Sequence, residues 1–73
     1  MDELVEFGLR IKELRSKASL SQEALAAECE LDRTYISGIE RGQRNPSLKN
    51  IIRIAKALNI SPCQLFERRN HAI

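Results

Sequence analysis

The stretch that decides the fold is residues 22–41, QEALAAECELDRTYISGIER. It divides into two short helical segments with a tight turn between them. Ser21 is a good N-cap for the first segment, which runs to about Cys29, and Asp32 is a good N-cap for the second, Arg33–Arg41. An α-helix fits the major groove of B-DNA, and a second helix can brace it across the backbone. This order therefore predicts a helix-turn-helix over Gln22–Arg41.

Apolar residues in this stretch stand where a helix-turn-helix needs buried side chains. They occupy its fourth, eighth, tenth, fifteenth and eighteenth positions and are Leu25, Cys29, Leu31, Ile36 and Ile39. Ala26 is small at the point where the two helices would cross, since a larger side chain would push them apart. The five apolar residues together with both caps indicate a helix-turn-helix more specifically than any one of these residues does.

Helical periodicity predicts one further helix on each side of this stretch. The first covers about Asp2 to Lys17, and its apolar stripe is Leu4, Phe7, Ile11, Leu14 and Ala18. Beyond a loop, Ser47 caps another helix that runs to about Leu58. Its inward residues are expected to be Leu48, Ile51, Ile52, Ala55 and Leu58, and Ile54 lies off that stripe.

A short fifth helix is predicted after Ser61. Ser61 as N-cap, Pro62 at the first helical position and Gln64 at the third form a capping box. The polar tail, residues 67–73, is expected to fray. The sequence thus predicts an all-α fold of five helices. It forms one domain over residues 1–73, because 73 residues leave no room for two cores.

The composition is that of a soluble globular chain whose charges are unevenly placed. Hydrophobic residues make up 42%, charged residues 30%, and the net charge is +2. Residues 1–30 hold seven acidic and four basic residues, whereas residues 31–73 hold three acidic and eight basic residues. A basic half favours an anionic partner, although a solvated surface would explain the charge bias alone.

Catalytic and metal-binding groups are scarce in the sequence. The only histidine is His71, in the tail, and no nucleophile–base pair, metal-ligand cluster or phosphate-cradling glycine loop is present. We therefore expect no enzyme activity, no metal and no cofactor. Cys29 and Cys63 have no CxxC pairing and are expected to be buried thiols in a reducing cytosol. A disulfide between them is the alternative.

Features of membrane proteins and secreted proteins are also missing from the sequence. No apolar run approaches the roughly 20 residues that cross a membrane. The acidic start, with Asp2, Glu3 and Glu6, is unlike a signal peptide. The expected location is the cytoplasm, in association with the nucleoid.

Three motifs carry a resemblance to a known family, within the span Ile11–Phe66. They are Leu-Ser-Gln at 20–22, Ile-x-x-Ile-Glu-Arg-Gly at 36–42 and Asn-Pro-Ser at 45–47. The chain resembles the lambda-repressor-like (Xre/Cro-type) helix-turn-helix regulators. Its segment Leu31–Asn45 is most similar to the controller proteins of bacterial restriction–modification systems. Those are small dimeric activator–repressors that time the expression of a restriction endonuclease.

The resemblance implies a sequence-specific regulator that binds a palindromic operator in double-stranded DNA as a homodimer and activates or represses transcription. Two dimers on adjacent sites and a contact with RNA polymerase are further arrangements that it allows. A phage-type repressor, or an antitoxin-like regulator that also binds a partner protein, is the alternative. Neighbouring genes would separate these functions.

One residue departs from the family pattern at the turn between the two helices. Family members usually have glycine where this chain has Glu30. A non-glycine residue with positive φ is strained by roughly 1 kcal/mol. Either Glu30 accepts that strain or the turn has a slightly different shape.

Three residues are candidates for base contacts. With Ile36 and Ile39 inward, helical spacing turns Arg33, Thr34 and Ser37 outward. An arginine can bond a guanine edge with two hydrogen bonds, which is the commonest specific contact in DNA recognition. Gly38, on the same face, would serve either a close approach to DNA or tight packing.

Six residues are candidates for contacts with the DNA backbone: Gln22, Tyr35, Arg41, Arg44, Asn45 and Lys49. Gln22 stands beside the free N–H groups at a helix start, an arrangement that suits phosphate. Tyr35 would either give its hydroxyl to the backbone or pack against the domain. The resemblance places Arg44 and Asn45 near DNA, and Lys49 would otherwise be a solvated helix residue.

The resemblance also implies a structural ion pair between Arg15 and Glu40, which would fix the second helix of the helix-turn-helix, Arg33–Arg41, the DNA-reading or recognition helix. Two independent surface charges are the alternative. Apolar residues near the C-terminus are the candidates for a dimer interface: Ile54, Leu58, Ile60, Pro62, Cys63, Leu65 and Phe66. A twofold dimer would set two reading helices about 34 Å apart. The alternative is that these residues cap the core of one protomer.

Overall fold

A computed structural model describes residues 2–67, and all regular secondary structure in that range is helical. Four α-helices are followed by one 3₁₀ helix. Their bounds are α1 Glu3–Lys17, α2 Gln22–Cys29, α3 Arg33–Glu40, α4 Leu48–Ala57, and the 3₁₀ turn Pro62–Phe66. His71 and nearly all of the tail predicted to fray lie outside the described residues.

Each α-helix begins at a capping side chain. Oxygens of Asp2, Ser21, Asp32 and Ser47 accept hydrogen bonds from backbone N–H groups of the first helical turn. These bonds satisfy donors that a helix start otherwise leaves without a partner. The predicted caps Ser21, Asp32 and Ser47 are confirmed, which fixes the starts of α2, α3 and α4 at the expected residues.

The predicted fifth helix is a 3₁₀ turn, so the expectation of five α-helices was wrong. Its start is as expected, because Ser61 and Gln64 form the capping box with Pro62 at the first position. The hydrogen bonds, however, span three residues, from Gln64 N–H to the Ser61 carbonyl and from Glu67 N–H to the Gln64 carbonyl. Short segments commonly close this way, since few residues are available for an α-helical ladder.

The core lies where α1, α2, α3, α4 and the 3₁₀ turn meet. α3 packs against both α1 and α2, while α4 packs against α2 and the 3₁₀ turn. The largest fully buried side chains come from all five elements and are Ile11, Leu25, Ile36, Ile39, Ile54 and Leu65. α3 is thereby held from two sides, with its isoleucines inside.

The inward face of α4 differs from the predicted one. Leu48 is 71% exposed and Ile52 is 36% exposed, whereas Ile54 is fully buried. Seven apolar residues between positions 48 and 58 define more than one stripe, and the stripe at 51, 54, 55 and 58 faces the core. Periodicity alone could not choose between the stripes, because the choice depends on what α4 packs against.

Arg10 ties the C-terminal turn to α1. Its guanidinium is buried, donates from Nε to the Gln64 carbonyl at 3.0 Å, and pairs with Glu13 at 2.9 Å and Glu67 at 3.0 Å. A buried arginine needs such partners, because an uncompensated charge is costly to desolvate. The 3₁₀ turn is therefore fixed by polar contacts as well as by Leu65.

The two cysteines have different environments and neither forms a disulfide. Cys29 is buried as expected, and desolvation raises the pKa of its thiol. Cys63 is exposed, with its sulfur 3.2 Å from the Ser61 hydroxyl oxygen. The expectation that Cys63 is buried was wrong, because only Leu65 of the 3₁₀ turn is buried in the core.

Glu30 takes the left-handed conformation at the end of α2, with φ of 59°. The first of the two alternatives for the turn is therefore the observed one. The chain reverses here, and the next residue, Leu31, donates its N–H to the Ala26 carbonyl at 2.9 Å. A side chain with a Cβ atom is strained in this region, whereas glycine is not.

We expect Glu30→Gly to raise the free energy of unfolding by about 1 kcal/mol, because it removes this strain. Urea unfolding followed by circular dichroism measures the change. Glu28→Gly is the matched control, since Glu28 is an exposed residue within α2. Glycine there should cost about 1 kcal/mol. A destabilised Glu30→Gly variant would contradict the argument.

Candidate nucleic-acid interface

An ion pair between α1 and α3 fixes the C-terminal end of α3. Arg15 Nε lies 2.6 Å from Glu40 Oε2, and Arg15 Nη2 donates to Glu40 Oε1 at 3.1 Å. The Glu40 side chain is only 3% exposed. Arg15 Nη1 also donates to the Leu20 carbonyl at 2.7 Å, and the hydrogen bond with Glu40 raises the pKa of Arg15. Two parallel hydrogen bonds, as between Arg15 and Glu40, are the strongest form of an arginine–carboxylate pair.

Gln22 joins the same carboxylate from α2. Its Nε2 donates to Glu40 Oε1 at 2.9 Å, so Glu40 receives hydrogen bonds from α1 and from α2 at once. Gln22 is half-buried in the first turn of α2, beside the Ser21 cap. An amide has two N–H donors and this contact accounts for one of them, so a contact with DNA at this helix start stays a prediction.

Gly8 brings the backbone of α1 against the end of α3. A Cβ atom at Gly8 would lie 2.2 Å from the Ile39 carbonyl oxygen and 2.8 Å from that of Glu40. Only glycine permits this approach. Sequence reasoning did not single out Gly8, since its partners lie more than 30 residues away along the chain.

The N-terminal end of α3 presents the predicted base-reading residues to solvent. Arg33 and Thr34 are exposed, while Ile36 and Ile39 are buried. Ser37 is half-buried, and its hydroxyl oxygen accepts a hydrogen bond from Arg41 Nη1. Arg41 Nε also donates to Gln43 Oε1 at 3.2 Å. Arg33 and Thr34 are thus the freer pair, and Ser37 shares its hydroxyl with Arg41.

Gly38 is buried under Arg44. A Cβ atom at Gly38 would lie 2.6 Å from Arg44 Cγ, so the stem of this arginine covers the glycine. In this structure Gly38 therefore packs under Arg44, and its close approach to DNA stays a prediction. The loop after α3 thereby returns to the surface of α3.

Tyr35 is half-buried between Arg44 and α4. The Arg44 guanidinium carbon lies 5.7 Å from the ring centroid, which is cation–π distance. Asn50 Nδ2 donates to the Tyr35 hydroxyl oxygen at 3.1 Å. Sequence reasoning missed Asn50, because nothing in its local pattern indicates a partner 15 residues away.

The other two candidates for backbone contacts are exposed at the start of α4 and in the loop before it. Lys49 is exposed on the first turn of α4. Asn45 is exposed and lines a groove of about 180 Å³ with Phe7, Ile51 and Phe66. Asn45 therefore faces a different recess from the one that Tyr35 and Arg44 line.

Three of the seven predicted dimer residues lie in the core of one protomer, which corrects the expectation for them. Ile54 is fully buried, and Leu65 and Leu58 are 1% and 8% exposed. They pack inward because α4 and the 3₁₀ turn contact each other. The other four keep accessible surface and are Ile60, Pro62, Cys63 and Phe66. Phe66 is 62% exposed and packs against Phe7 with the two rings tilted, their centroids 5.3 Å apart.

The described part of the chain offers few other kinds of site. Within residues 2–67, no three or more His, Cys, Asp or Glu side chains come together as a metal site. Over the same range, every helix is too short or too polar to span a membrane.

The geometry defines a helix-turn-helix protein, with α2 supporting α3 and the N-terminal end of α3 exposed. The helix-turn-helix family model HTH_3 matches residues 11–65, and the chain belongs to this family. Among its relatives is control protein C.BamHI of Bacillus amyloliquefaciens, which is 55% identical over 62 residues, covering 84% of this chain and 76% of that protein.

Solved structures of restriction–modification controller proteins have the same fold. C.AhdI from Aeromonas hydrophila superposes with a TM-score of 0.86 and 57% identity, over 86% of this chain and 96% of that one. C.Esp1396I bound to a 19-base-pair DNA duplex superposes with a TM-score of 0.82 and 41% identity, over 90% and 88% of the two chains. The same protein was solved as a tetramer on its natural 35-base-pair operator. The resemblance to controller proteins is confirmed.

Proposed function

We propose that this protein is a sequence-specific transcriptional regulator, the controller protein of a restriction–modification system, which binds a palindromic operator in double-stranded DNA as a homodimer. The observation that carries the proposal is the support of α3. Glu40, Gly8 and the buried isoleucines hold its inner side, while Arg33 and Thr34 extend into solvent. The DNA-bound structure of a relative with this fold supports the same function.

Base recognition is assigned to the exposed end of α3. Arg33 would donate two hydrogen bonds to a guanine edge, and Thr34 would contact a thymine methyl group or a base edge. Ser37 lies one turn further along α3 and would add a bond to a base. Its hydroxyl also orients Arg41, which would then reach a phosphate.

Backbone contacts are assigned to the residues around α3. Gln22, Tyr35, Arg44, Asn45 and Lys49 would bind phosphates, which fixes the position of the protein without reading sequence. Because such contacts release counterions from DNA, affinity should fall steeply as salt rises.

Dimerisation is assigned to the accessible apolar residues at the C-terminal end. Ile60, Pro62, Cys63 and Phe66 would meet the same residues of a second copy about a twofold axis. Two reading helices would then lie about one DNA turn apart. Two dimers would bind adjacent sites, and a contact with RNA polymerase would serve activation. The protein would act in the cytoplasm, on the nucleoid.

Selection of bound duplexes from a random pool tests this function. We expect the enriched sequences to share an inverted repeat, with half-sites separated by about one helical turn. Enrichment of a single asymmetric site would contradict the dimer, and failure to enrich any sequence would contradict specific binding.

We expect Arg33→Ala to weaken binding to the selected duplex by about 1–3 kcal/mol and to relax the preference at one base pair. Titrations on the matched duplex and on single mismatches measure both effects. Lys12→Ala, which removes an exposed charge from α1, is the control and should leave the preference unchanged. Equal losses for Arg33→Ala on matched and random DNA would refute base reading by Arg33.

A further inference from the structure

Asn50 lies outside the helix-turn-helix, on the first turn of α4, and yet contacts α3. Its side-chain amide donates to the Tyr35 hydroxyl oxygen at 3.1 Å. Its own backbone N–H is bound separately by the Ser47 hydroxyl at 3.2 Å. The backbone of Asn50 is therefore fixed by the helix cap, and its side chain connects α4 to the recognition helix.

The hydrogen bond has a direction that matters for the tyrosine. A phenol has one proton to donate and also accepts through its oxygen. Because Asn50 donates, the phenolic oxygen is the acceptor and the phenolic proton remains to be shared. Among residues 2–67, no acceptor receives that proton. Tyr35 and Asn50 line a shallow recess of about 370 Å³. Thr34 and Arg44 also line it, and Leu31 and the acidic residues Glu30 and Asp32 complete the lining.

The ring of Tyr35 also supports Arg44. The guanidinium lies over the ring at 5.7 Å, while the stem of Arg44 covers Gly38. The orientation of the ring thus affects two groups at once, the phenolic hydroxyl and the guanidinium. Both are suited to anionic oxygens, and a hydrogen bond to a charged acceptor is stronger than one to a neutral acceptor.

We propose that Asn50 is a positioning residue of the DNA interface. It holds the Tyr35 hydroxyl so that the phenolic proton is donated to a phosphate oxygen, and it keeps the ring beneath Arg44. A phosphate oxygen accepts hydrogen bonds and does not donate them. It therefore suits the phenolic proton of Tyr35, which the contact with Asn50 does not use. This inference rests on the proposed function and adds to it a residue that does not itself need to touch DNA.

A double-mutant cycle tests the proposal, with the Kd for the selected inverted-repeat duplex measured for wild type, Asn50→Ala, Tyr35→Phe and the double variant. We expect each single variant to weaken binding about fivefold to tenfold, the size expected for one hydrogen bond. The double variant should lose no more than about twofold beyond Tyr35→Phe, because Asn50 acts through the hydroxyl. The proposal would be overturned if Asn50→Ala weakened DNA binding equally with tyrosine and with phenylalanine at position 35. Wild-type binding by either single variant would overturn it as well.

Asn50→Asp is the matched isosteric variant. It keeps the shape of the side chain but replaces the donor by an acceptor, which would take the phenolic proton itself. We expect it to bind at least as weakly as Asn50→Ala, and wild-type binding would overturn the proposal. Circular dichroism and the thermal midpoint of each variant show that the fold is kept. If the wild-type protein binds no selected duplex, the proposed function fails. If the wild-type protein binds a duplex tightly but the cycle shows no coupling between Asn50 and Tyr35, only the role of Asn50 is refuted.

Discussion

Replacing Arg15 by methionine is expected to lower the free energy of unfolding by about 3–5 kcal/mol, the cost of removing one partner of a buried ion pair. The Glu40 carboxylate is 3% exposed, and among residues 2–67 the amide of Gln22 would be its remaining side-chain donor. Methionine keeps much of the packing of the arginine stem, so the loss reports on the charge. The free energy of unfolding of a native protein is only about 5–15 kcal/mol in total. The variant should therefore unfold at a much lower urea concentration.

The double variant Arg15→Met with Glu40→Met is the control for this prediction. It removes both charges and leaves apolar side chains of similar size, and such replacements are often neutral or stabilising. We expect it to recover most of the lost stability. A double variant as unstable as the single one would show that the pair is not the cause. DNA binding by the double variant would then report how far the pair, rather than the packing, positions α3.

Gly8→Ala is expected to destabilise the protein by about 3 kcal/mol and to weaken DNA binding as well. The added Cβ would lie 2.2 Å from the Ile39 carbonyl oxygen, which is backbone and cannot move without moving α3. Overpacking usually costs about 1–3 kcal/mol, and a contact with rigid backbone belongs at the upper end. Alanine is nevertheless the better helix former, so intrinsic propensity alone predicts the opposite sign.

Urea unfolding and titration of the selected duplex measure the two effects of Gly8→Ala. Ser16→Ala, at an exposed position of α1, is the matched control and should be neutral or slightly stabilising. A stabilised Gly8→Ala variant would mean that α1 and α3 can separate freely, against the packing described above. Loss of DNA affinity in a variant that remains folded would show that the placement of α3 is what binding requires.

Local signals in the sequence predicted local structure well. The caps Ser21, Asp32 and Ser47 act within one turn of the residues they serve, so their effect can be read from adjacent positions. The inward isoleucines of α3 follow from helical spacing in the same way. Family resemblance added a longer-range contact, between Arg15 and Glu40, which spacing alone would not have suggested.

Features that depend on tertiary packing were not predictable from the sequence. Ile54 was placed outside the core because α4 has two apolar stripes, and only its packing partners decide between them. The Asn50 contact joins residues 15 apart across two helices, and the Gly8 contact joins residues more than 30 apart. The turn after Ser61 carried correct start signals, but these do not specify whether the segment continues as an α-helix or as a 3₁₀ helix.

The first helix contacts both α3 and the C-terminal 3₁₀ turn. Through Gly8 and Arg15 it holds α3, and through Phe7 and Arg10 it holds the C-terminal turn that carries Phe66. In the proposed dimer, the separation between the two DNA-reading ends would then be fixed by rigid units rather than by adjustable linkers. An operator lengthened by one base pair at its centre shifts a half-site by roughly 3.4 Å and rotates it around the duplex. Such a protein should tolerate almost no insertion at the centre of its operator.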